Sequence, residues 1–359
     1  MNKGNEGRDH WTIHDIAREV GVSAKTVSRV LNNKSGVGAA ARERILKLME
    51  EVGYQPHIGA RSLRSRQSAC IGVTMPASPE EVPLSQGFLL WLFAQLYEVF
   101  GRYGEYIGFD LNPHGAGSEN DYGRGVWQHL FKACVVAGPL RPNDAVAARI
   151  HRSGIPYLVM GRLDSLPEMS SATVDYEKGA YDSVRFLIDR GHRRIAMLRA
   201  FDGYQPGEER MRGYRRALEE AGIPFEPGLV RDSGFGAQQV SAATHRLLAD
   251  RGVTALVDSS GTEDGPSLEE GARRAGRIVG RDFDLVAWTY VNNASVSHGA
   301  CAHVWLPVRE TAAQGIESLA EWLVGSRTEP VHVLYPPVLD TRNFSAEVPR
   351  PRRLFDLQE

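Results

Sequence analysis

The sequence predicts an α/β protein in two parts: a small three-helix head with a short hinge, followed by a large body of parallel sheets in two lobes. Three observations predict it. Residues 12–52 carry three helical periodicities with a tight glycine turn between the first two. From Cys70 onward, short apolar runs alternate with helical stretches, the pattern of parallel sheets covered by helices. Charge is also segregated: residues 1–66 hold 12 Lys and Arg against 7 Asp and Glu, or +5, and the other 293 residues hold 30 against 37, or −7. The whole-chain charge of −2 hides a basic head on an acidic body, which points the head toward a polyanionic partner.

At 359 residues the chain has material for two or three folded units, at roughly 100–200 residues per domain. Hydrophobic residues at 42% and charged residues at 24% exclude collagen-like, coiled-coil and wholly disordered readings. The longest apolar run, Phe88–Phe100, is interrupted by Gln95 and Glu98 and is too short to span a bilayer. Residues 1–9 read as an unstructured arm without the apolar core of a secretory signal, so the expected location is the cytoplasm. Cys70, Cys134 and Cys301 are odd in number and widely spaced, as reduced core residues are, rather than a disulfide or metal framework.

Residues 10–56 form the expected head. Thr12-Ile13-His14-Asp15 is a capping-box start, after which Ile13, Ile16, Ala17 and Val20 recur at helical spacing. Gly21-Val22-Ser23 follows: glycine permits the reversal, Val22 plugs the angle between helices, and Ser23 caps a second helix over Ala24–Leu31. Val27, Val30 and Leu31 face inward, leaving Ala24, Lys25, Thr26, Ser28 and Arg29 displayed where recognition helices meet base edges and phosphates. A third helix, about Ala39 to Val52, buries Ile45, Leu48, Met49 and Val52 and stops at Gly53. The expected hinge, residues 57–67, is basic and short of apolar positions; it reads equally as a linker or as a helix ordered on DNA.

Residues 68–344 form the expected body and 345–359 a tail. The clearest strands are Cys70–Met75, Tyr106–Asp110, Ala133–Ala137, Tyr157–Met160, Ile195–Leu198, Thr254–Val257 and Leu285–Trp288. Ligands bind beyond the carboxyl ends of such strands, so two facing lobes make a cleft that can close on a small molecule. The helix at Phe88–Phe100 has apolar residues on more than one face; a second copy of the chain or neighbouring strands must cover the surplus.

Four strings, Thr12-Ile13-His14-Asp15-Ile16-Ala17, Gly21-Val22-Ser23, Thr26-Val27-Ser28-Arg29-Val30-Leu31-Asn32 and Ala60-Arg61-Ser62-Leu63, resemble the lactose/galactose-repressor (LacI/GalR) family of bacterial transcription regulators. The resemblance continues through Gly191-His192-Arg193-Arg194-Ile195-Ala196 and Arg210-Met211-Arg212-Gly213-Tyr214, and returns at Leu306-Pro307 and Pro336-Pro337. It implies a periplasmic-binding-protein-like body, no cofactor, and three partners: double-stranded operator DNA, a small sugar-like effector and a second copy of the chain. Ala24, Lys25 and Arg29 would face bases, Thr26, Ser28 and Asn32 would hold phosphates, and Leu63 would be a minor-groove wedge. Thr12 and Ser23, at the helix starts, complete the DNA-binding set. Gly38 stands where the family usually has a Ser or Thr cap, and glycine is itself an acceptable cap.

In the cleft the resemblance implies that Arg210, three residues before Gly213-Tyr214, contacts effector, against the reading of a surface helix arginine. Phe235 falls where an aromatic ring meets a sugar face, or it is core. Arg162, after the strand Tyr157–Met160, is a cleft candidate or a loop arginine. Two departures stand out. Asp258-Ser259-Ser260-Gly261-Thr262-Glu263-Asp264 replaces the usual Asn-Asp pair, and Ala287-Trp288-Thr289-Tyr290 replaces a turn that normally supplies a hydroxyl-binding carboxylate. Thr289 therefore stands at an effector position as a neutral hydroxyl, and the cleft binds a different ligand, with Asp258, Glu263 or Asp264 compensating, or has lost small-molecule binding. No P-loop, metal-ligand pattern or nucleophile elbow is present in the sequence, so a regulator is expected rather than an enzyme or a receptor without DNA function.

Overall fold

The computed structural model describes residues 11–31, 35–54, 70–77, 86–110, 121–200, 202–234, 236–260, 265–290 and 302–341. The chain divides into two compact units, Met1–Ala69 and Cys70–Glu359.

In the first unit, α1 (Ile13–Val20), α2 (Ala24–Leu31) and α3 (Ala39–Glu51) surround a core of Ile16, Ala17, Val27, Val30, Ile45 and Met49. The Thr12 hydroxyl accepts from the Asp15 amide while the Asp15 carboxylate accepts from the Thr12 amide, closing the expected capping box. Gly21 ends α1 at φ 72°, a left-handed conformation that a side chain resists, and this lets α2 start only three residues on. Gly38 caps α3 without a side-chain hydrogen bond.

The second unit holds two six-stranded sheets. Lobe 1 contains β1 (Cys70–Thr74), α4 (Gln86–Gly101), β2 (Ile107–Asp110), α5 (Arg124–Trp127), β3 (Phe131–Ala137), α6 (Ala145–Arg152), β4 (Tyr157–Met160) and β5 (Ser171–Val174). The chain then crosses through α7 (Tyr176–Asp189) to lobe 2. There it forms β6 (Ile195–Arg199), α8 (Gln205–Glu220), β7 (Val230–Asp232), α9 (Ala237–Leu248), β8 (Ala255–Asp258), α10 (Gly265–Arg274), β9 (Asp284–Thr289) and β10 (Ala302–Trp305). It returns by α11 (Val308–Leu323) to β11 (His332–Tyr335) at the edge of the lobe 1 sheet and crosses once more to β12 (Val338–Asp340). Strand order is β11-β5-β4-β3-β1-β2 in lobe 1 and β12-β10-β9-β8-β6-β7 in lobe 2.

Every predicted strand is present, and every named pairing is parallel except β10 with β12. That exception follows from connectivity: β11 ends at the carboxyl side of its own sheet, so the chain enters lobe 2 from the cleft and runs against the strands already there. The central strands β3, β6, β8 and β9 are buried almost throughout, which explains their nearly unbroken apolar runs. Helices α7 and α8 pack with almost no space at Gly213, where a Cβ would stand 2.1 Å from the Glu177 carbonyl oxygen. Cys134 is buried and Cys70 half-buried, both as free thiols, while Cys301 lies outside the described residues.

Candidate nucleic-acid interface and inter-lobe cleft

The helix-turn-helix of the head is preformed. The Ser23 hydroxyl accepts from the Thr26 amide at 3.1 Å and lies 2.9 Å from the Thr26 hydroxyl, so both side chains first serve the start of α2. With Val27 and Val30 turned into the core, Lys25 and Arg29 are exposed and Thr26 and Ser28 are half-buried, while Ala24 is half-buried and packs against the core of the head. Thr12 is exposed at the start of α1. Asn32, Leu63 and the hinge 57–67 lie outside the described residues.

The cleft is built where strand ends of the two lobes meet the first turns of α8. From lobe 1, the Leu140 carbonyl accepts from the Gln205 amide at 2.8 Å, and the Arg141 guanidinium lies 4.7 Å from the Tyr204 ring centroid while donating to its hydroxyl at 3.3 Å. Arg162, two residues beyond β4, donates from Nε to Glu209 Oε1 at 2.8 Å and stands 3.9 Å from Asp175. Arg162 is thus a bridge between lobes, engaged by an acid of α8. Glu209 is 1% exposed; burial pushes its carboxyl up, and the Arg162 hydrogen bond pulls it back.

Arg210 is fully buried and held in one orientation. Nε donates to the Ser259 carbonyl at 3.1 Å, Nη1 to the Pro206 carbonyl at 2.9 Å and Nη2 to the Tyr290 hydroxyl at 2.7 Å. Its guanidinium stacks 4.3 Å from the Tyr176 ring centroid and 5.2 Å from that of Trp288. Burial pushes the Tyr176 phenol up, so it remains a neutral hydroxyl beside this cation. Thr289, the last residue of β9, is buried, and its carbonyl accepts from the Leu306 amide. Asp258 is turned locally, accepting from the amide and hydroxyl of Ser260. Phe235, Glu263 and Asp264 lie outside the described residues.

The structure therefore brings Arg162, Arg210 and Thr289 to strand ends or to the helix that faces them. It adds residues to which the sequence reading gave no effector role: Glu209, Gln205, Tyr176, Tyr204 and Tyr290. One signal for Glu209 was available. Gln205, Glu209, Gly213 and Ala217 form a stripe at four-residue spacing, and an acid on a stripe that carries no other charge and continues into Gly and Ala is an acid turned inward.

Comparison with known proteins accounts for both units. Residues 12–57 match the model of bacterial regulatory proteins of the lacI family, residues 93–248 that of periplasmic binding proteins and the sugar binding domain of the LacI family, and residues 184–343 that of periplasmic binding protein-like domains. The chain is 27% identical over 336 residues to the HTH-type transcriptional regulator CelR of Thermobifida fusca, covering 92% of this chain and 96% of that one. It is 24% identical over 318 residues to catabolite control protein A of Priestia megaterium, covering 87% and 92%. The fold is shared with the lac repressor dimer bound to operator and an anti-inducer, with TM-score 0.75 at 21% identity over 94% of this chain and 100% of that one. With head and body both matched, the chain belongs to the lacI family of bacterial regulatory proteins and is a DNA-binding transcription regulator, not an enzyme.

Proposed function

We propose that the protein is a cytoplasmic, dimeric repressor of carbohydrate-utilisation genes, with heads that read a two-fold operator and a cleft that takes a small sugar-like effector. The observation that carries this reading is α2, capped by Ser23 and packed by Val27 and Val30 so that Lys25 and Arg29 are presented to solvent. A guanidinium offers the paired donors that guanine accepts in the major groove, and the neighbouring hydroxyls suit phosphate oxygens. Ala24, Lys25 and Arg29 read bases; Thr12, Ser23, Thr26, Ser28 and Asn32 hold the backbone; Leu63 wedges into the minor groove.

Dimerisation is supported by α4. Leu92, Leu96, Val99 and Phe100 enter the lobe 1 core, but Leu90 is 68% exposed, Tyr97 is 78% exposed, and exposed Phe93 packs edge-on against exposed Phe109 of the edge strand β2. An apolar patch spanning a helix and a sheet edge requires cover, and the lac repressor, which shares the fold, is a dimer on its operator. The sugar-like effector is supported by the sugar-binding domain match and by Arg210, held beside the aromatic rings of Tyr176 and Trp288. Phe235 supplies a further ring face, Arg162 and Thr289 complete the set, and no helix of the described residues is long and apolar enough to cross a membrane. Site selection from random duplexes by the purified protein tests the proposal: a palindrome should be enriched, and Arg29→Ala should lose preference at one position in each half-site, about 1–3 kcal/mol. An unenriched pool would overturn it.

A further inference from the structure

Glu209 is a buried acid with only half of its acceptors used. Oε1 takes the Arg162 hydrogen bond at 2.8 Å and a longer one from Gln205 at 3.4 Å, whereas Oε2 has no hydrogen-bond partner among the described residues. A buried carboxylate oxygen without a donor destabilises a fold unless something else supplies one. The position suggests what does. Glu209 sits in the helix that closes on lobe 1, adjacent in sequence to Arg210, and its charge acts on the same Tyr176 that Arg210 stacks upon. At the other end of this cluster β9 finishes in Thr289, whose hydroxyl cannot offer the two acceptor oxygens of a carboxylate.

We propose that Glu209 Oε2 accepts a hydrogen bond from a hydroxyl group of the effector, so that α8 supplies the carboxylate acceptor that the end of β9 lacks. The donor is a neutral hydroxyl rather than an ammonium, because the Glu209 charge is already matched by Arg162 and a second cation would meet both Arg162 and Arg210. Arg162 is then a positioning residue: it fixes the acid from lobe 1, which ties a contact made on lobe 2 to the closure of the two lobes.

This inference rests on the cleft being an effector site, and its test separates the two. Full-length wild type and Glu209→Gln are screened by thermal shift and calorimetry against neutral mono- and disaccharides, their single deoxy analogues and the matching amino sugars. A sugar should raise the wild-type Tm. Glu209→Gln should bind it at least tenfold more weakly, and wild type should reject one deoxy analogue by a similar factor that the variant does not show. Equal affinity and equal deoxy discrimination in both proteins would remove Glu209 from the site while leaving the effector reading intact. Tighter wild-type binding of an amino sugar would overturn the neutral-hydroxyl assignment. If no saccharide binds wild type, the effector reading fails and this inference with it. Should Glu209→Gln fail to fold, Glu209→Asp keeps the charge but withdraws it by one methylene; unchanged deoxy discrimination there would also overturn the proposal.

Discussion

Gly213 shows how much a single residue decides in the body. The Cβ of an alanine would lie 2.1 Å from the Glu177 carbonyl oxygen and 2.9 Å from the Tyr181 amide nitrogen, both backbone atoms of α7 that cannot swing aside. Gly213→Ala should therefore push α7 and α8 apart and destabilise lobe 2 by about 1–3 kcal/mol, seen as a lower denaturant midpoint. An unchanged midpoint would mean that the helices reseat without loss. The same residue made Arg210 legible in the sequence, since the arginine is recognised by its distance from Gly213-Tyr214. Glu209 was not legible in that way. The run from Glu208 to Arg216 holds several charges, and local sequence does not state which of them the opposing lobe neutralises; only the fold brings Arg162, 47 positions earlier, onto this acid.

Elements were legible in proportion to their burial. Strands covered on both faces, such as Phe131–Ala137 and Ala255–Asp258, are nearly unbroken apolar runs and could be read directly. Ser171–Val174 mixes hydroxyls with apolar residues, Val230–Asp232 is a three-residue edge with two charges, His332–Tyr335 alternates exposure at a sheet edge, and Val338–Asp340 is a three-residue edge with no buried position, so none of them stands out from loop sequence. The edge pair β10–β12 also carries a pH response. His303 pairs with Asp340 across this ladder; burial holds the imidazole below its ordinary value of 6.5, with the Asp340 charge pulling the other way. Just below pH 6.5 the unfolded chain binds protons that the folded one does not, so stability should fall as pH drops through that window and level off below the folded value. Thermal melts between pH 7.5 and about 5 should show a smaller loss for His303→Gln than for wild type. Parallel curves would assign the acid response to other groups.

For the whole molecule, operator binding couples what the head does to what the body does. Each head contributes its own phosphate contacts, so the logarithm of affinity should fall linearly with the logarithm of salt, with a slope of about −0.9 per phosphate neutralised. In the proposed dimer two heads double that count, and the second binds from an effective concentration set by its tether rather than from bulk solution. Charging the exposed α4 patch with Leu90→Asp and Phe93→Asp leaves the head sequence untouched, and neither side chain belongs to the buried set of the lobe 1 core. The double variant should sediment as a monomer at micromolar concentration. At fixed salt it should bind the full operator about 10²–10⁴-fold more weakly, and its salt slope should be about half that of wild type. The two readouts separate the causes of a weaker complex. A monomer with the full slope would show that one head makes all the phosphate contacts, and a variant that stays dimeric would place the interface away from Leu90 and Phe93.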